Sequence, residues 1–265
     1  MKKIVITNWI ILGLTVTMVT CFTSCRKEGR NENPVPSSGK LQKVTMENEF
    51  ISFTYHTDGS LKEALVKNEF ATGGNEVKFI VSYNGQRKIS EVITNDSRKL
   101  IPLYDNGEMV RVEIRNLLNQ LEGYTDYEYL NGRLKSATLA HFDGAVFPWL
   151  KFIFNYDAAG NVVKTNLFIN DFINNQLVPA GYVEYEYDNK NNPLADMNEF
   201  LKIIWQVSSP NNIKKETHID ENNIIEEKLE YVYIYDSGNK PLSAVVKRTQ
   251  PGSPVENLQL IYSYR

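Results

Sequence analysis

The 265-residue chain has only two cysteines, Cys21 and Cys25, and both lie in its first 25 residues. Everything beyond them lacks thiols, which excludes a disulfide framework, cysteine-ligated zinc and a cysteine nucleophile. Histidine is almost as scarce. His56, His141 and His218 stand in separate stretches with no second ligand at i+2 or i+4, so they read as surface or turn residues rather than metal ligands or catalytic bases. There is no block of Lys and Arg either. The charged residues, 23% of the chain, alternate in sign, which argues against a phosphate backbone as partner and leaves nucleic acid out. No GxSxG, phosphate-loop or GxGxxG motif occurs, so no cofactor, metal or motif-borne catalytic site is expected.

Long apolar runs are missing as well, with one exception at the start. Lys2 and Lys3 precede an apolar stretch from Ile10 to Val19 and a small-residue exit, Phe22-Thr23-Ser24-Cys25. This pattern reads as an export segment over residues 1–25, to be set aside from the fold. Its removal leaves 27 basic against 32 acidic residues, a net charge of −5. An uncleaved anchor is the alternative, because residues 4–22 carry no charge over a length that could span a bilayer. Asn8 and the threonines at 7, 15, 17 and 20 weaken that alternative. The tetrapeptide ending at Cys25 resembles the lipobox of bacterial lipoproteins, with Phe22 where leucine is commoner. The resemblance implies that Cys25 is lipidated and becomes the first residue of a protein anchored at the outer membrane, facing the periplasm or the cell surface. Residues 26–40, rich in Pro, Ser and charge, read as a flexible tether.

From Leu41 to Arg265 one pattern recurs: two aromatic or apolar residues spaced by two, a turn, then a second apolar alternation. Examples are Phe53-Thr-Tyr55 before HTDGSL, Tyr127-Glu-Tyr129 before LNGRL and Tyr233-Ile-Tyr235 before DSGNKPL. A spacing of two puts each pair on one face of a strand, so each copy is a hairpin with one packed and one wet face. Asn84-Gly85 and Asn131-Gly132 suit two-residue hairpin loops, since both residue types tolerate positive φ. The second aromatics are 28, 46, 27, 31, 48 and 29 residues apart, so each long gap is expected to hide a degenerate unit. Ile101-Pro-Leu-Tyr104 with DNGEMV fills the first. In the second, Leu194, Met197, Leu201 and Ile204 have helical spacing and predict a short helix over 194–204. The expected architecture is all-β: antiparallel β-hairpin repeats in a long curled or twisted sheet, with terminal strands around Phe53 and Leu260 open to edge pairing.

NYDAAGNVV at 155–163 and IYDSGNKPL at 234–242 resemble the tyrosine-aspartate repeats of Rhs and teneurin shells. In layout the chain is closer to uncharacterised lipoproteins of Bacteroidetes, which share the export segment, degenerate repeats of this kind and a Ser-Pro-Asn-Asn element like residues 209–212. The resemblance implies stacked hairpins and transfers no catalytic residue.

Asp157, Asp188 and Asp236 follow tyrosines into turns and read as Asx-turn formers rather than calcium ligands, because no loop carries a full oxygen-donor series. Glu226-Glu227 reads as a charged exposed edge, since adjacent strand residues point apart and cannot form a facing carboxyl pair. Trp149 and Trp205 are the candidate ligand-binding residues, as ring platforms for sugars. The functional expectation is a non-catalytic envelope protein that binds a glycan or an envelope protein. The rival is a carbohydrate-active enzyme whose carboxylates are dispersed among repeats.

Overall fold

The computed structural model describes residues 39–67, 75–143 and 145–265, with the side chains of 142–147 left aside, so residues 1–38, including Cys25, lie outside the description. Sixteen antiparallel strands run in chain order around a closed barrel. They are β1 Leu41–Met46, β2 Glu49–Tyr55, β3 Leu61–Lys67, β4 Glu76–Tyr83, β5 Ile89–Thr94, β6 Arg98–Asp105, β7 Glu108–Asn116 and β8 Leu121–Leu130. The second half comprises β9 Arg133–Asp143, β10 Ala145–Tyr156, β11 Val162–Asp171, β12 Gln176–Asn191, β13 Asn211–Ile219, β14 Ile225–Tyr235, β15 Pro241–Thr249 and β16 Glu256–Tyr264.

The expected curled sheet is corrected in one respect: it closes. β1 pairs with β16 from Leu41–Tyr264 to Met46–Leu260, so the first and last strands satisfy each other's backbone groups and neither Phe53 nor Leu260 lies on an open edge. The short helix is present, as a 3-10 turn at Ala195–Met197 running into α1, Asn198–Ile203. The second long gap, however, holds no degenerate hairpin. Its extra length is the connection 192–210 between β12 and β13, which carries this helix into the barrel.

Alternation along the strands sorts the wall. Inward residues such as Val44, Phe53, Val92, Val112, Leu229 and Val246 are buried in one apolar cluster. Outward residues carry charge in cross-strand pairs: Lys78–Glu63 at 3.1 Å, Arg111–Asp126 at 2.5 Å, Lys164–Glu184 at 3.3 Å, Lys215–Glu186 at 2.7 Å and Lys247–Glu230 at 3.5 Å. An eight-strand barrel is filled by its own side chains, whereas sixteen strands enclose more space than strand residues can fill. The inserted segment supplies the missing volume. Leu194, Met197, Phe200, Leu201, Ile203 and Ile204 are all buried inside the barrel, and Phe200 packs edge-on against Phe79 of β4 with ring centroids 5.8 Å apart.

The hairpins that begin with even-numbered strands turn at one end of the barrel, here the mouth, from which the inserted segment enters. The others turn at the opposite end, the base. Asn131-Gly132 forms the expected two-residue turn with positive φ at both residues. Asn84-Gly85 does not. It opens a five-residue loop in which Arg87, not Gly85, takes the positive φ, because the Asn84 side chain accepts hydrogen bonds from the amides of Gln86 and Lys88 and so heads a wider turn. The loops at 56–60, 157–161 and 236–240 share this form, each with the positive φ at the fourth residue and the amide of the first donating to the carbonyl of the fifth.

Candidate functional site

Each even-numbered strand from β2 to β16 brings one tyrosine to the mouth: Tyr55, Tyr83, Tyr104, Tyr129, Tyr156, Tyr187, Tyr235 and Tyr264. Most of them sit at a register shift, where the bulge tips the ring inward. Six of these hydroxyls donate to a backbone carbonyl near the start of the strand immediately before their own. Tyr55 reaches Leu41, Tyr104 reaches Ile89, Tyr129 reaches Met109, Tyr156 reaches Leu134, Tyr187 reaches Val162 and Tyr264 reaches Pro241. On β14 it is Tyr233 that makes this bond, to Ile213 at 3.0 Å, and Tyr235 bonds the Asp188 carboxylate. The repeated tyrosine is therefore a stitch between hairpins. Burial pushes the phenols of Tyr55, Tyr129 and Tyr156 up to about 12, so they stay neutral donors. Cations lie over several of the rings, including Lys40 and Arg265 over Tyr55, Lys88 over Tyr104, Arg133 over Tyr156 and Lys240 over Tyr264.

The inserted segment is fastened at its root and along its length. Asn192 bonds Ser208 and the Ser209 carbonyl, and Ser209 Oγ donates to the Tyr187 hydroxyl while accepting from the Val162 amide. The side chains of Asn161 and Asn211 join as donor and acceptor at 3.1 Å, and Asn212 donates to the carbonyls of Lys190 and Asn191. The Ser-Pro-Asn-Asn element is thus the root of the insertion. Deeper in, Tyr127 donates to the Lys202 carbonyl at 2.6 Å, Tyr104 to Glu199 at 2.7 Å and the Trp205 indole to Thr125 at 2.9 Å. Trp205 has a φ of 63°, the left-handed conformation usually given to glycine after a helix, and the Gln206 amide beyond it returns to the Leu201 carbonyl.

Above the helix the mouth is open on one side, as a cleft of about 1410 Å³. Tyr55, Tyr83 and Tyr264 form its aromatic wall, Met197 and Phe200 its apolar floor, and Asn84, Asn191, Asn192 and Asn239 its carboxamides. Lys40, Arg87 and Lys240 face the same space as Asp58, Asp196 and Glu199, and His56 stands at the rim. Nothing in the local sequence pointed to this gathering, because its residues come from β1 to β5, the end of β12, the insertion, the loop after β14 and the end of β16.

The tryptophans occupy different settings. Trp205 is half-buried against the core, whereas Trp149, 37% exposed, is the extra residue of a bulge between Pro148 and Leu150 in β10. His56 and His141 are exposed, as expected, but His218 is not. It is buried inside β13, with Nε2 3.5 Å from Oε2 of the fully buried Glu216, whose other oxygen accepts from Tyr231 at 2.8 Å. Burial pushes the Glu216 carboxyl above the usual range. Glu226-Glu227 is corrected too. Glu227 faces inward opposite His218 and accepts from Arg248 at 2.6 Å and Gln250 at 3.0 Å, so only Glu226 is on the outside. The turn aspartates act as Asx formers, with Asp157 accepting from the Asn161 amide, Asp188 from Lys190, and Asp236 from Gly238 and Lys240, all at 2.8 Å. Among the described residues no group of three or more His, Cys, Asp or Glu could hold a metal ion, and no helix is long and apolar enough to cross a membrane.

No protein-family description matches the chain, and no curated protein matches it. Among solved structures the chain is similar to a porin-like protein from Bacteroides uniformis, at 13% identity over 87% of this chain and 98% of that one, with a TM-score of 0.57. A porin-like protein from Bacteroides vulgatus is 12% identical over 86% of this chain and 99% of that one, with a TM-score of 0.47. The Tc holotoxin pore of Photorhabdus luminescens aligns at 9% identity over 80% of this chain and 14% of that one, with a TM-score of 0.31. What the chain shares with the first of these is the β-barrel fold.

Proposed function

We propose that the protein is a non-catalytic binding protein of the bacterial envelope, held to the outer membrane by lipid on Cys25, and that its mouth cleft receives a glycan. The observation that carries the reading is the composition of the cleft: neutral phenols, carboxamides and balanced charges of both signs over an apolar floor. Sugars present hydroxyls that need donors and acceptors together, and C–H faces that stack on rings. A purely anionic or cationic ligand would fit less well, since Lys40, Arg87 and Lys240 are matched by Asp58, Asp196 and Glu199. Trp205 supports the cleft from below through its bond to Thr125, and Trp149 is a second place for a sugar ring, away from the mouth.

An envelope setting is supported by the export segment and by a fold shared with a Bacteroides porin-like protein. The wall itself is built against spanning a bilayer. A membrane barrel turns an apolar band outward and a polar lining inward. This wall does the reverse, with ion pairs outside and an apolar core inside. Anchoring therefore falls to Cys25, which metabolic labelling with a palmitate analogue tests directly, with Cys25→Ala expected to release the protein.

Calorimetric titration of residues 39–265 with a panel of oligosaccharides tests the ligand. Binding is expected for at least one glycan, weakened about tenfold or more by Arg87→Ala or Tyr83→Ala. Asp58, Asp196 and Glu199 also line this one cleft, which is the feature that favours the carbohydrate-active enzyme as second reading. Release of shortened sugars that ceases in Asp196→Asn or Glu199→Gln would establish that reading instead.

A further inference from the structure

The base of the barrel differs from the mouth in chemistry. Three consecutive base turns, Phe172–Asn175 after β11, Asp220–Ile224 after β13 and Gln250–Val255 after β15, hold large apolar side chains out in solvent. Ile173 is 93% exposed and Phe172 69%, and Ile224 and Val255 are each more than half exposed. Neighbouring strands are about 4.8 Å apart, so successive turns along this arc are roughly 10 Å apart and together span about 20 Å. These turns and their flanks contain Asp171, Asp220 and Glu221, with no Lys or Arg between Asp171 and Gln176, Asp220 and Ile224, or Gln250 and Glu256, while Glu256 is paired with Arg248 at 3.2 Å. The Asp171 carboxylate accepts from the Ile173 amide and Asn174, and that of Asp220 from the amides of Ile224 and Asn222, and these bonds lower both carboxyls below their ordinary value.

We propose that this arc is a docking surface for a partner protein whose contact face is basic and offers apolar pockets. Apolar tips raised among acidic turns call for a partner that covers the side chains and supplies positive charge. A bilayer fits poorly on two grounds. Anionic headgroups would meet the carboxylates of Asp171, Asp220 and Glu221 with no lysine or arginine in the same turns to bind them. The described residues also begin at Gly39, at the mouth, so an anchor that precedes them, as proposed above, is joined to the barrel at the end opposite these turns. A second copy meeting the same arc would set like charges against each other.

The full-length chain, expressed in its own cells with a photo-crosslinking phenylalanine analogue in place of Ile173 or Val255, tests the proposal. The expected result is one adduct of the same mass from both positions and none from the exposed mouth residue Gln86. The captured peptide should carry lysine or arginine, and the adduct should be lost in E221K, an exposed change that leaves the Asp220 turn bonds in place and whose thermal unfolding should match that of the parent. An adduct of twice the chain's mass, an adduct that survives the charge reversal, or no adduct at all would each overturn the proposal. So would sedimentation of the purified chain with vesicles of mixed phosphatidylethanolamine and phosphatidylglycerol that Ile173→Ser abolishes. None of these readouts involves the mouth cleft, so they stand apart from the glycan titration.

Discussion

The two ends of this barrel are made by the same chain reversals yet perform different work. At the mouth, each reversal follows a tyrosine, most of whose hydroxyls are spent on the strand before their own, and the space inside is floored by a helix and left partly open. At the base, reversals such as those at 172–175 and 220–224 point apolar side chains outward. Below the helix, the interior beside β13 to β15 is occupied instead by the polar ladder of His218, Glu216, Glu227 and Arg248, whose outer end meets the exposed Glu256. A repeat of hairpins is thus polarised by which reversal carries the ring and which carries the exposed tip.

Removing the helix is the severest way to break this comparison. Replacing residues 193–209 by a two-residue turn strips six buried apolar side chains from the core, and at about 1.5–3 kcal/mol each the loss matches the whole stability of a typical domain. The expected outcome is a chain with no cooperative unfolding transition by circular dichroism. Phe200→Ala, which also abolishes the ring contact with Phe79, should cost about 3–5 kcal/mol in urea denaturation. Smaller effects probe the stitches. Tyr129→Phe removes only the hydroxyl that donates to Met109 at 3.0 Å and should cost about 1 kcal/mol, because a buried carbonyl loses its partner. A base substitution such as Ile173→Ser should leave denaturant stability within about 0.5 kcal/mol.

Glu216 sharpens the contrast through pH. Its carboxyl is raised by burial, so the folded chain holds a proton that the unfolded chain releases. The stability associated with it is fully present below the ordinary carboxylate range and falls as pH rises through the folded value. Glu216→Gln should flatten that decline and make the protein more stable at neutral pH, as followed by thermal unfolding across a pH series. A decline that is unchanged in Glu216→Gln would show that other groups carry it.

Much of the wall was legible because its signals are local. Tyr233 and Tyr235 share a face because of strand geometry, Asn131-Gly132 turns because both residues accept positive φ, and Leu194, Met197 and Leu201 line one side of a short helix by spacing alone. His218 and Glu227 were misplaced for an equally plain reason. Polarity suggests the surface, but strand parity put both inside, where Glu216 and Arg248 meet them. The cleft was invisible because Tyr55, Arg87, Asp196 and Lys240 come together only when remote strands do.

By itself the sequence determined the alternation of faces, the placing of the reversals and the helical character of the insertion, all of which depend on residues within a few positions of one another. The tertiary structure alone decided that β1 would seal against β16, that the insertion would turn into the barrel rather than away from it, and that one end would become a cleft. Those outcomes arise from satisfying unpaired strand edges and filling an enclosed apolar volume, and both are properties of the closed ring rather than of any one hairpin.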